Sequence, residues 1–135
     1  MSGNGLVTRS DPIRVLHVDD DEALVDLAAI FLERESDLIE VTTESSVEDA
    51  LDVLDAQPID CVISDYDMPG HDGLEFLEFV RARSPDLPFI LFTGKPAESL
   101  ETAALRAGAT EFRHKGTDAD QYTVLAQRIT EAVGN

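Results

Sequence analysis

The chain has 135 residues, enough for one domain with a single good core. Apolar residues make up 43%, which excludes wholesale disorder. Its 28 acids against 10 bases leave a net charge of −18, which disfavours nucleic-acid binding because phosphates would be repelled.

Residues 1–11 are small and polar and read as a flexible N-terminal arm, leaving 12–135 as the domain. Ile13 to Val18 reads as the first strand. From Asp21 to about Arg34, apolar Leu24, Leu27, Ala28 and Phe31 follow helical spacing. Leu38 to Thr42 reads as a second strand. Ser45 or Ser46 caps the next helix, whose apolar face is Val47, Ala50, Leu51 and Leu54, and Pro58 stops it. The third strand runs from Ile59 to Ser64. Gly73 opens a helix carrying Leu74, Leu77 and Val80, which ends near Ser84-Pro85. Phe89 to Phe92 forms the fourth strand. Pro96 fits the first turn of a helix reaching Ala107, with Gly108 as its stop signal. Thr110 to His114 is a short fifth strand, and Asp118 to about Val133 is the last helix, with Tyr122, Leu125, Ala126 and Ile129 inward. Strand and helix alternate five times, which predicts an α/β fold with a parallel sheet covered on both faces.

The informative stretch is Cys61 to Gly70. It begins as an apolar run too short for a helix, ends abruptly at Asp65, and is followed by Pro69, Gly70 and Gly73, which enforce a loop. A carboxylate therefore stands at the carboxyl end of a central strand, where open α/β sheets place their ligands. Asp19-Asp20-Asp21 closes the first strand in the same way, and Asp67 adds a further acid. A carboxylate that attacks a phosphoryl group needs both negative charges neutralised. Mg2+ does this with oxygen ligands in octahedral geometry, and crowded carboxylates favour such a cation. Each feature has a plainer explanation. An acidic triplet at a strand end often only caps a helix, Thr93 suits a turn, and Lys115 suits a solvated surface. The coincidence of such features at four strand ends outweighs these explanations.

Val18-Asp19-Asp20-Asp21, Ser64-Asp65-Tyr66-Asp67-Met68-Pro69-Gly70-His71-Asp72-Gly73-Leu74, Thr93-Gly94 and Lys115 together resemble the receiver domain of two-component response regulators, across about residues 12–133. The resemblance implies a flavodoxin-like, doubly wound five-stranded sheet in the order 2-1-3-4-5. It implies phosphorylation of Asp65 by a histidine kinase or a histidine phosphotransfer protein. Mg2+ would be held by Asp20, Asp65 and the backbone carbonyl of Asp67, with Asp19 acting through a water. Thr93 and Lys115 would serve the phosphoryl group. Thr93 and Phe112 would form the switch that reports to the face of the fourth helix, fifth strand and fifth helix, through which homodimers form. Such a domain catalyses only its own phosphorylation and dephosphorylation and is not a turnover enzyme.

The chain departs from the family in three places. Gly116 follows Lys115 where the family usually has proline, often cis, so the geometry of that loop stays open. Phe112 lacks the hydroxyl of the usual tyrosine, and burying a whole such ring is worth roughly 1.5–3 kcal/mol, so an inward ring is expected in the resting domain. Asp67 and Lys95 occupy the variable positions that tune acyl-phosphate hydrolysis. Two other readings compete. A phosphatase of the haloacid dehalogenase type also uses Asp-x-Asp, which Asp65-Tyr66-Asp67 matches, but the chain leaves no room for a cap domain and Asp19-Asp20 precedes the nucleophile. A non-phosphorylated interaction module of the same fold conflicts with the intact acidic pair, Asp65, Thr93 and Lys115. A phosphate loop at Gly94-Lys95 lacks its preceding glycine spacing.

The remaining features are quieter. Only two lysines, Lys95 and Lys115, accompany eight arginines, and an acidic, lysine-poor surface points to adaptation to high salt. The alternative is an ordinary acidic domain. Cys61, alone in the chain, reads as a small buried apolar residue. His17, His71 and His114 lack metal-ligand spacing and read as structural or surface residues. With no signal peptide and no long apolar segment, the sequence predicts a soluble cytoplasmic protein that binds no membrane.

Overall fold

The computed structural model describes residues 11–94, 98–116, 118 and 120–134. The expected arm lies outside these residues except for Asp11, and so do Lys95 and Pro96. Five strands, β1 (Ile13–Val18), β2 (Ile39–Glu44), β3 (Cys61–Ser64), β4 (Phe89–Thr93) and β5 (Glu111–His114), alternate with α1 (Glu22–Glu35), α2 (Val47–Ala56), α3 (Gly73–Arg83), α4 (Glu98–Arg106) and α5 (Asp120–Val133). All strand pairs are parallel, and the order is β2-β1-β3-β4-β5. The alternation predicts the parallel sheet, and the doubly wound order is the one the resemblance implies.

The pleat divides the core in two. Ile13, Val15, Cys61, Ile63, Ile90 and Phe92 face α1 and α5, while Leu16, Val18, Val62, Phe89 and Leu91 face α2, α3 and α4. β3 and β4 are buried at every position, as central parallel strands should be. Burial pushes the Cys61 thiol up to about 12, which keeps it inert.

One expected face is corrected. α1 buries Val25, Ala28 and Leu32; of the expected Leu24, Leu27, Ala28 and Phe31 only Ala28 is buried, and Leu27 is 47% exposed. The helix is apolar on several sides, so two phases fit helical spacing and only packing decides. Phe31 is partly buried, stacked on Tyr122 of α5 at 5.2 Å. β2 begins at Ile39 and runs on to Glu44, two residues beyond the expected end, because β1 pairs with it to Val18↔Glu44. Ser46, not Ser45, caps α2 by accepting from the Asp49 N–H. Asp72 caps α3 in a reciprocal box with Glu75. The chain leaves α4 through Gly108, whose φ of 104° suits glycine, and Arg81 holds the turn by donating to the Gly108, Ser84 and Leu87 carbonyls.

Candidate functional site

The carboxyl ends of β1, β3, β4 and β5 lie side by side and open into a cleft of about 590 Å3 lined by Asp19, Asp20, Asp65, Asp67, Thr93 and Lys115, among others. Four separate motifs thus meet at the point where the strand order reverses. Asp65 stands immediately after β3, with its N–H bonded to the Val18 carbonyl at 2.9 Å. Asp19 continues β1, its N–H bonded to the Glu44 carbonyl at 3.1 Å.

The charges are unevenly shared. Asp19 is 1% exposed; its Oδ1 accepts from the Asp21 N–H at 2.9 Å and its Oδ2 from Lys115 Nζ at 2.6 Å. Lys115 Nζ also lies 3.6 Å from Asp65 Oδ1 and 5.8 Å from the centre of the Phe92 ring. Its backbone N–H donates to the Thr93 carbonyl at 2.8 Å, which extends the β4–β5 ladder by one residue and fixes the root of the side chain. Burial holds the Asp65 carboxyl above its ordinary range. Lys115 opposes that shift, Asp19 adds to it, and hydrogen bonds from the Tyr66 backbone and the Thr93 hydroxyl lower it. Asp20 is exposed, yet one oxygen from each of Asp19, Asp20 and Asp65 falls within a 4.8 Å cluster. Three carboxylates against one ammonium form a cavity suited to a hard divalent cation.

The second candidate position, Phe112, is half-buried and packs against the α4-side core. It pairs with Leu91 on β4, two residues before Thr93, so both lie on one sheet face. The ring is neither fully inward nor in open solvent.

Three residues escaped sequence reasoning. Gly73 opens α3 directly against the backbone of Asp65: a Cβ there would lie 2.4 Å from the Asp65 carbonyl oxygen and 3.0 Å from Tyr66 Cα. Its N–H also donates to the Tyr66 carbonyl at 2.8 Å. The sequence marks it as a helix start and gives no sign of this contact. Gln121 reaches back from α5 to the residue after Lys115. The third is His17, 1% exposed beneath the site and 6.5 Å from the Phe92 ring, with neither ring nitrogen hydrogen-bonded among the described residues. His114 is exposed, and His71 sits between Glu48 and Glu75, edge-on to Phe79.

Burial lowers the His17 pKa from its ordinary 6.5 to about 4; Asp19 opposes the shift and Lys115 adds to it. A folded pKa below the unfolded one means that the unfolded chain takes up the proton first. The His17 contribution is therefore complete above about 6.5 and is lost as pH falls toward 4, by about 3 kcal/mol in full. His17→Leu removes this loss. In metal-free urea melts, the stability of His17→Leu relative to wild type is expected to rise by about 2 kcal/mol between pH 7 and 4.5. Parallel profiles for the two proteins would contradict a neutral buried imidazole.

Comparison with known proteins agrees with this geometry. The response regulator receiver domain model matches residues 15–127. The transcriptional regulatory protein FixJ of Bradyrhizobium diazoefficiens is 31% identical over 110 residues, covering 82% of this chain and 53% of FixJ. The chain thus spans about half the length of that relative. The response regulator TrrA of Thermotoga maritima, solved in complex with Mg2+ and BeF, superposes with a TM-score of 0.75 at 28% identity, covering 86% of this chain and 97% of that one. The beryllofluoride-activated NtrC4 receiver domain dimer gives 0.80 at 26%, covering 90% and 98%. Among the described residues no helix is long and apolar enough to cross a membrane. Motifs, strand order and relatives converge: the chain belongs to the response regulator receiver domains, the signalling modules of two-component systems.

Proposed function

We propose that Asp65 accepts a phosphoryl group from a histidine kinase or a histidine phosphotransfer protein and holds it as an acyl phosphate. The observation that carries this reading is the Asp65 carboxylate at the end of β3, hydrogen-bonded to Thr93 and 3.6 Å from Lys115 Nζ, with Asp19 and Asp20 clustered beside it. An Asp65 oxygen attacks phosphorus, the bond from phosphorus to the donor imidazole breaks, and the electron pair leaves on the imidazole nitrogen. Lys115 sits within reach of the phosphoryl oxygens as a point charge, and the Thr93 hydroxyl offers them a donor. Gly94, where a Cβ would meet nothing within 4 Å, leaves the approach open.

Mg2+ fits the donor set, and its presence in TrrA supports the assignment. Asp20, Asp65 and the Asp67 carbonyl would hold the ion. Both Asp19 oxygens already accept hydrogen bonds, which supports a contact through water. When bound, the ion neutralises charge shared by the nucleophile and the incoming phosphoryl group. The signal leaves through Thr93 and Phe112 to the α4–β5–α5 face, where Leu105 is 46% exposed; the NtrC4 dimer supports a second copy as one partner. The domain acts once per phosphoryl group and is not a turnover enzyme. Receiver membership favours this reading over the phosphatase alternative, and turnover of a small phosphate ester would reverse that preference.

Acetyl phosphate with Mg2+ is expected to label the wild-type domain and leave Asp65→Asn unlabelled, as read by intact mass. Equal labelling of the two proteins would remove Asp65 from the role.

A further inference from the structure

Lys115 is useful only if its ammonium is held where Asp19 and Asp65 converge, yet the chain leaves the sheet at the next residue. The β4–β5 ladder ends with the Lys115 N–H on the Thr93 carbonyl. Among the described residues Gly116 has no strand partner for its N–H or its C=O, and glycine resists local unwinding least of all residues. A Cβ at Gly116 would meet only Asp118 N among the described residues, at 4.0 Å. Gln121 supplies what is missing. From the first turn of α5, its Oε1 accepts the Gly116 N–H at 2.8 Å and its Nε2 donates to the Gly116 carbonyl at 3.0 Å. One carboxamide thus satisfies both halves of one residue's backbone, as a neighbouring strand would. Gln121 is itself anchored. Its N–H reaches the Asp118 carbonyl at 3.2 Å, and the Asp118 side chain accepts the Asp120 N–H at 3.0 Å.

We infer that Gln121 is a positioning residue for Lys115: its carboxamide clamps the Gly116 backbone and so holds the Lys115 ammonium at the phosphoryl site. A proline at 116 has no N–H to give, so a proline there and this clamp exclude each other on the donor side. The loop whose geometry Gly116 leaves open in the sequence is thereby closed by a residue five positions on. The inference rests on the reading of Asp65 as phosphoacceptor, since only that reading gives the ammonium a task.

The test compares wild type, Gln121→Leu and Gln121→Glu. Gln121→Leu keeps helix propensity and removes both hydrogen bonds, while Gln121→Glu keeps the acceptor for the Gly116 N–H. With saturating acetyl phosphate and Mg2+, Gln121→Leu is expected to label Asp65 about tenfold more slowly, the scale set by two modest hydrogen bonds. Gln121→Glu should fall between the two. Gln121→Leu should still unfold cooperatively, because neither core cluster contains Gln121. The 15N relaxation of Gly116 should change from rigid in wild type to mobile in Gln121→Leu. Wild-type labelling rates in Gln121→Leu overturn the inference, and so does a slow variant whose Gly116 stays rigid. If the wild type itself takes no label on Asp65, the phosphoacceptor reading fails instead. The clamp is then judged by relaxation alone, and a Gly116 equally rigid in both proteins overturns it.

Discussion

Gly73→Ala is expected to destabilise the domain by about 3 kcal/mol, the upper end for overpacking, and to slow labelling of Asp65 by about 100-fold. Helix propensity alone predicts the opposite sign, since alanine in a helix is favoured over glycine by about 1 kcal/mol. The contact distances decide between them. A methyl group at residue 73 would stand 2.4 Å from the Asp65 carbonyl oxygen and 2.8 Å from Leu91 Cδ1. The first neighbour is backbone and cannot swing away. Either α3 retreats, which opens its packing through Phe76 and Leu77, or Asp65 shifts out of line with Thr93 and Lys115. Denaturant melts and acetyl-phosphate labelling check the two effects together. A stabilised, normally labelled Gly73→Ala would show that the approach of α3 to Asp65 is loose.

Salt provides the second large effect. Of the 28 acids, only Asp19 and Asp65 are buried, so nearly the whole negative charge faces solvent. It is also clustered. α2 carries Glu48, Asp49, Asp52 and Asp55 with no base in its sequence. Beside it, Glu44 is held above its ordinary pKa, first by partial burial and then by Asp49 and Asp52. Screening contracts from about 10 Å at 0.1 M salt to about 3 Å at 1 M, shorter than most separations in such a cluster. The Tm is expected to rise by about 10 °C between 0.1 and 3 M KCl, equivalent to roughly 2–3 kcal/mol for a domain of this size. Asp52→Lys should raise the Tm at 0.1 M and leave it unchanged at 3 M, which separates charge screening from general salting effects. A flat Tm across the series would remove the case for adaptation to high salt.

Much of this molecule is legible in its residues because two signals coincide. Apolar runs of strand length alternate with helical spacing, and each acidic, hydroxyl or basic motif falls where a run ends. The sheet order and the meeting of Asp19, Asp20, Asp65, Thr93 and Lys115 follow from that pattern once the family is seen. What escaped is of another kind. The phase of α1 was ambiguous because Leu24, Val25, Leu27 and Leu32 offer two stripes sharing Ala28, and only packing on β1 and α5 selects one. The burial of His17 was hidden because a polar residue in a strand gives no sign of which neighbours cover it. The contacts of Gly73 with Asp65 and of Gln121 with Gly116 depend on how a helix start meets a loop, and no spacing rule reports that.

The ion pair between Lys115 and Asp19 joins residues 96 positions apart, and β3 and β4 lie between their strands. Each strand pairing in the sheet must close a long loop, which slows folding. The lysine follows β5, the last strand of this sheet in chain order, so an emerging chain presents Asp19, Asp20 and Asp65 long before it can present their cation. Asp19 and Asp65 therefore meet their cation only once β5 has joined the sheet.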